Sequence, residues 1–301
     1  MSGPLPQRWC TDDAAGRHNA AIAGILETAP IVPRADGLVL FAELGSDAVL
    51  RFLVAVKSLH RHLSRGRVAV IDDGTLTAQD RTILAQHCGD PDIFRPGDIA
   101  MGDFPRGIGW EALLALLDQR GGEYWLQLAP DTLTLSAPFD IERAISSNRS
   151  FAMAASTSLP DRPMPLSEYA QGLSGDDAQS RIERALARFG AQRGWRYMRV
   201  STGMRGFAAG QPGRDLARAY HARLAALDPV GAATPASVHV AAGFLLANEG
   251  SLMALPPSRY APMAVDAPGP EVAVMHFAAP SRYEGSSYAH ASRAVIAALA
   301  R

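Results

Sequence analysis

The sequence predicts an α/β fold, a mostly parallel central sheet flanked by helices. Two observations carry that expectation: short apolar runs recur along the first half of the chain, and helical patterns of suitable length separate them. The runs are apolar throughout, without polar alternation, as strands buried on both faces require. Strand and helix in turn at these lengths predict βαβ units.

Residues 1–33 mix proline, charge and alanine and read as a leader with one helix. Residues 37–42 are the first apolar run, and Ser46 is placed to cap a helix in which Val49, Phe52, Leu53, Val56, Leu59 and Leu63 recur at steps of three and four. Residues 67–71 form the second strand, closed by the turn residues Asp72, Asp73 and Gly74. Thr77 and Asp80 start the next helix in a capping-box pattern that runs to about Cys88. Ile93 and Phe94 form a brief third strand, 110–117 a helix, and 123–128 a fourth strand that stops at Pro130. The second half is less regular. A strand at 151–155 precedes a polar stretch, 159–177, that reads as a loop or insertion, and helices follow at 178–189, 213–226 and 236–247. Residues 271–276 form a late strand, and Ser286 or Ser287 caps a closing helix with Tyr288, Ala291, Val295 and Leu299 on one face.

Composition narrows the function. The 301 residues are 48% hydrophobic and 20% charged, within the globular range. Net charge is −1, from 29 basic and 30 acidic residues, which gives no electrostatic ground for nucleic acid or an anionic membrane as partner. Lys57 is the only lysine. Cys10 and Cys88 lack the spacing of a zinc site or a disulfide framework. No apolar stretch reaches the roughly 20 residues of a membrane helix. Charges precede and close the apolar segment 20–26, a poor match to a signal peptide, so a cytoplasmic enzyme is expected.

In an open α/β sheet, ligands gather at the carboxyl ends of the strands. That rule selects Ala42 and Glu43, Asp72 to Gly74, Ala129 to Asp131, and His276. Each has a plainer reading. Asp131 after Pro130 is the ordinary place for a turn aspartate, His276 for a satisfied core histidine, and Asp72 with Asp73 for a tight turn.

Together these residues resemble the GT-A fold glycosyltransferases, nearest the retaining, glycogenin-like and bacterial galactosyl- or glucosyltransferase branch. Residues 56–62 look like the family's first helix. Residues 124–133 resemble the strand leading into its D-x-D motif, with Asp131 as the second aspartate. Residues 200–207 are similar to its Asn-x-Gly segment, and 276–282 to H-x-x-G-x-x-K. The departures are Ala129 for the first aspartate, Ser201 for asparagine, Ala279 for glycine and Arg282 for lysine.

The resemblance implies a GT-A-like domain over 34–301, with a nucleotide-binding half (34–135) and an acceptor-side half (136–301). It implies a nucleotide-sugar donor, a UDP-sugar foremost, and an unspecified acceptor. Donor-binding residues would be Ala42, Glu43, Asp72, Asp73, Asp131, Ser201 and Gly203. Asp131 and His276 would bind Mn2+ or Mg2+, and Arg282 would offset charge on the departing diphosphate as the catalytic group. With Ala129 in the motif, the clamp is weakened, and Arg282 with Arg205 is an alternative neutraliser. Two other readings stand beside this one. The first is a relative that binds a nucleotide sugar or glycan without transferring it. The second is a Rossmann methyltransferase or dehydrogenase, which the single glycine of residues 42–47 disfavours, because that fingerprint needs three.

Overall fold

A computed structural model describes residues 13–156, 160–190, 194–210, 213–262, 269, 271–278 and 281–301. Cys10 and Ala279 lie outside them, as do residue 159 at the start of the expected loop and the first 12 residues of the leader. In chain order the elements begin with α1 (Ala14–Ile22), β1 (Leu38–Leu44), α2 (Val49–Leu63), β2 (Arg67–Asp72), α3 (Ala78–Cys88) and β3 (Asp92–Phe94). Next come α4 (Trp110–Gln119), β4 (Tyr124–Leu128), β5 (Thr132–Thr134), α5 (Phe139–Ser146), β6 (Phe151–Ala154), β7 (Met164–Pro165), α6 (Leu166–Gln171) and α7 (Ala178–Leu186). The chain closes with β8 (Arg196–Tyr197), β9 (Val200–Phe207), α8 (Gly213–Leu227), α9 (Pro229–Ala232), α10 (Pro235–Asn248), β10 (Met253–Ala254), β11 (Tyr260–Pro262), β12 (Val274–His276) and α11 (Ser287–Leu299).

Seven strands form the central sheet in the order β10-β6-β9-β4-β1-β2-β3. All neighbours run parallel except β9, which is antiparallel to both β4 and β6. Period-two alternation divides the core into two layers. Leu38, Leu40, Ala42 and Leu44 of β1 face one cluster, with α2 and α11, while Val39 and Phe41 face the other, with α4, α8 and α10. A buried ion pair, Arg120 Nη2 to Glu249 Oε1 at 2.7 Å, ties the end of α4 to the end of α10. Among the described residues no helix is long and apolar enough to cross a membrane.

Four expectations need correction. Ser46 does not cap α2. A 3-10 turn, Ser46–Ala48, comes first, and the Ser46 hydroxyl donates to Asp80 at 2.6 Å, stitching the exit of β1 to the start of α3. The second correction is β9, which the sequence pattern did not separate as a strand although it is central in the sheet. The third is the stretch after residue 159, which carries β7 and α6, with Leu166 and Tyr169 buried against the α7 and β8 region. Last, α5 follows β5 directly and was not anticipated. The capping box of Thr77 and Asp80 forms as the sequence suggested, with both reciprocal bonds present.

A second sheet, β11-β12-β5, positions the chemistry. Strand β12 pairs antiparallel with β5, with His276 opposite Thr132, and the Phe277 N–H donates to the Asp131 carbonyl at 2.9 Å. Residues 131 and 276, far apart in sequence, are thereby held side by side by backbone hydrogen bonds.

Candidate active site

Asp131, in the turn between β4 and β5, and His276, the last residue of β12, are each 4% exposed. Asp131 Oδ1 lies 3.3 Å from His276 Nε2, and Oδ2 accepts from Arg282 Nη1 at 3.0 Å. On the other side of the imidazole, Nδ1 lies 3.1 Å from Ser201 Oγ, which accepts the Gly203 N–H, also at 3.1 Å. These partners fix the tautomer assigned to a neutral ring: Nε2 carries the hydrogen donated to Asp131, and Nδ1 accepts the Ser201 hydroxyl. Ser201 thus orients the imidazole.

Gly203 contributes by what it lacks. A Cβ there would fall 2.5 Å from His276 Cγ, so only glycine lets the ring pack on β9. Its carbonyl also accepts the Ala129 N–H at 2.7 Å, holding the segment between β4 and β5.

Electrostatics converge on Asp131. Burial alone would raise its pKa, but the hydrogen bond and electrostatic attraction of His276, with the charges of Arg282 and Arg51, outweigh it and hold the carboxyl below its ordinary value. Arg51 was not singled out by the sequence reading, although a cation inside the apolar pattern of α2 is a detectable signal. It is buried and donates to Asp47 at 3.1 Å. Helix α1 reaches the same region: His18 stacks on Tyr288 at 4.0 Å, and Tyr288 stacks on Phe277 at 4.4 Å. Burial, with Arg51 and Arg282 nearby, pushes His18 down to about 4, so it is neutral near pH 7. The Arg282 side chain is 23% exposed and lines a cavity of about 280 Å3 together with Arg17, His18 and Arg293.

The other candidates stand apart from this cluster. Ala42 is fully buried in the core beneath β1 and offers no side-chain atom to a ligand, because alternation turns its methyl inward and Glu43 outward. The Asp72 carboxylate is engaged locally, accepting from Gly74 and Leu76 N–H at 2.8 and 3.1 Å and pairing with Arg81. Asp73 accepts from Thr75 N–H and hydroxyl at 2.9 and 2.6 Å, at the rim beside Gly45. Glu43 is exposed by area yet hemmed into a concave mouth. Desolvation first, then the charges of Asp73 and Glu111, raise its pKa.

Among the described residues no cluster of three or more His, Cys, Asp or Glu could hold a metal ion. Asp131 Oδ1 and His276 Nε2 are spaced much as adjacent ligands of one cation would be, about 3 Å apart for bonds near 2.1 Å. Two donors, one of them shared with Arg282, are an incomplete set. They fit a cation only where a ligand's phosphate oxygens and water supply the remaining positions, and where the imidazole takes its other tautomer, with Nδ1–H donating to Ser201 Oγ and Nε2 freed for the ion.

No family model matches the chain, and no curated protein matches it in sequence. Solved structures do match in fold. The galactosyltransferase LgtC in complex with donor and acceptor sugar analogues is 14% identical, with 88% of this chain and 96% of that one covered and a TM-score of 0.53. The bifunctional glycosyltransferase WbbM is 10% identical, with 89% of this chain and 51% of that one covered, also at 0.53. The fold is therefore GT-A-like, and these solved neighbours are glycosyltransferases.

Proposed function

We propose that the protein is a nucleotide-sugar-dependent glycosyltransferase. The observation that carries this reading is the meeting of Asp131, from the turn that leaves β4 of the GT-A-like sheet, with His276 and Arg282, brought beside it by the second sheet. The donor would lie across those ends, with its nucleoside toward Glu43 and Asp73 in the 34–135 half. The acceptor, unspecified, would enter from the 136–301 half. A UDP-sugar is the donor proposed first, with cytoplasmic action.

Transfer exchanges the bond between the anomeric carbon and the diphosphate oxygen for one to a hydroxyl oxygen of the acceptor; the bonding pair leaves with the nucleoside diphosphate, which takes up the proton that the hydroxyl loses. Arg282, anchored through one nitrogen by Asp131, has further N–H donors to present to the phosphate oxygens as their charge grows. Asp131 keeps the guanidinium in place, Ser201 orients His276, and Gly203 admits the ring. Asp131 and His276 would hold a Mn2+ or Mg2+ ion arriving with the diphosphate, and such an ion would offset the same developing charge.

A second reading, binding without transfer, is favoured by one feature. Both Asp131 oxygens already have partners, and Ala129 supplies no second carboxylate. One assay separates the two: purified protein is incubated with UDP- and GDP-sugars, with Mn2+ or with EDTA, and released or transferred sugar is followed. Turnover with at least one donor is expected. Measurable binding without turnover for any donor would establish the binding protein instead.

A further inference from the structure

Arg205 is a buried cation outside the Asp131 cluster. On the α4/α10 face, the sheet is apolar through Val39, Phe41, Trp125 and Phe207, then turns polar toward the carboxyl ends of β1 and β4. Glu43, Gln127 and Arg205 occupy that end, with Gln127 and Arg205 paired across β4 and β9, and His239 faces them from α10. Two cavities, of about 300 and 180 Å3, share these four residues, and the smaller also borders Ala129 and Thr202.

Arg205 is only 6% exposed, and its Nε and Nη1 are buried without a hydrogen-bond partner. Among the described residues its side chain makes no ion pair. Gln127 Oε1, an acceptor, is also buried and unpartnered, so it calls for a hydroxyl or other donor of the same ligand. A desolvated charge without a counter-ion is costly, and native folds retain such groups chiefly where a ligand completes them. Burial lowers the Arg205 pKa to about 10, which still leaves it cationic at neutral pH. Burial and the Arg205 charge together push His239 down to about 4, so it adds no competing charge. Glu43, the one acid in the lining, sits at the exposed mouth.

We propose that Arg205 is an oxyanion subsite of this cavity, completed by a phosphate or carboxylate oxygen of the bound substrate. The proposal rests on the glycosyltransferase reading and extends it. A neutral hydroxyl would satisfy the guanidinium N–H groups but not the charge, whereas the planar fork matches two oxygens of one anion. The oxygens can come from the diphosphate or from the carboxylate of an acidic sugar.

Calorimetric titration of UDP, UDP-glucose and UDP-glucuronate into the wild type and Arg205→Met tests this. A diphosphate role predicts that all three weaken at least tenfold in the variant. A carboxylate role predicts that UDP-glucuronate alone weakens tenfold, the other two staying within twofold. All three staying within twofold overturns the subsite. The variant is expected to melt at or above the wild-type temperature, since it removes an uncompensated buried charge. Should it fail to fold, Arg205→Lys, which keeps the charge but loses the fork, carries the same comparison. If the wild type binds none of the three, the reading that a UDP-sugar is the donor fails, and pyrophosphate and glucuronate are titrated alone. Arg205-dependent binding of either keeps the subsite, and its absence removes it.

Discussion

Asp131→Asn is expected to lower donor turnover at least a hundredfold and to destabilise the fold by about 3 kcal/mol. The stability figure is the low end for removing one partner of a buried ion pair, chosen because Arg282 reaches solvent while Arg51 does not. The amide keeps the shape but not the charge that anchors Arg282 and balances Arg51. Its pH dependence has a definite sign. The folded carboxyl is held below its unfolded value, so its contribution is complete above the unfolded pKa and is lost as pH falls through the folded one. The wild type and the Asp131→Asn variant should therefore differ most in stability near neutrality and converge in acid. Denaturant melts at pH 7 and in acid, with turnover measured alongside, check this. Equal stability at pH 7 would remove Asp131 from its place as counter-ion to the cluster.

Gly203→Ala is expected to act on the same line from the opposite side. The added methyl meets the His276 ring at 2.5 Å, and the pairing of β9 with β4 up to Met204, with the Ala129 N–H bond to the Gly203 carbonyl, opposes retreat of that strand. The ring must move, which loosens the Ser201 and Asp131 contacts together. Overpacking of this kind costs about 1–3 kcal/mol. Turnover should fall far more than stability, by about a hundredfold, because a displacement near 1 Å is enough to lose that much. A variant with wild-type turnover would show that the imidazole position is unimportant.

Much of the parallel core was legible because it is made of continuous apolar runs ended by turn residues. Asp131 and His276 stood out for the same reason, as polar residues closing such runs. Strand β9 was hidden by its glycines. Its Gly203 and Gly206 are poor strand formers, kept because the His276 ring fills the space beside one, and Tyr124 and Phe151 the space beside the other. Arg205 reads as an ordinary arginine until the fold shows that β9 buries it without a partner. Arg51 and His18 depend in the same way on tertiary packing that no local pattern encodes. The stretch after residue 159 looked like a loop because its polar and glycine residues dilute the signal of Leu166 and Tyr169.

The central claim is that Arg282, fixed by Asp131, faces the terminal phosphate of a nucleoside diphosphate. Titrating UDP and UMP into the wild type and Arg282→Met tests it most directly. The account predicts that the variant loses at least tenfold in affinity for UDP while UMP changes less than twofold. Equal UDP affinity in the two proteins would contradict it.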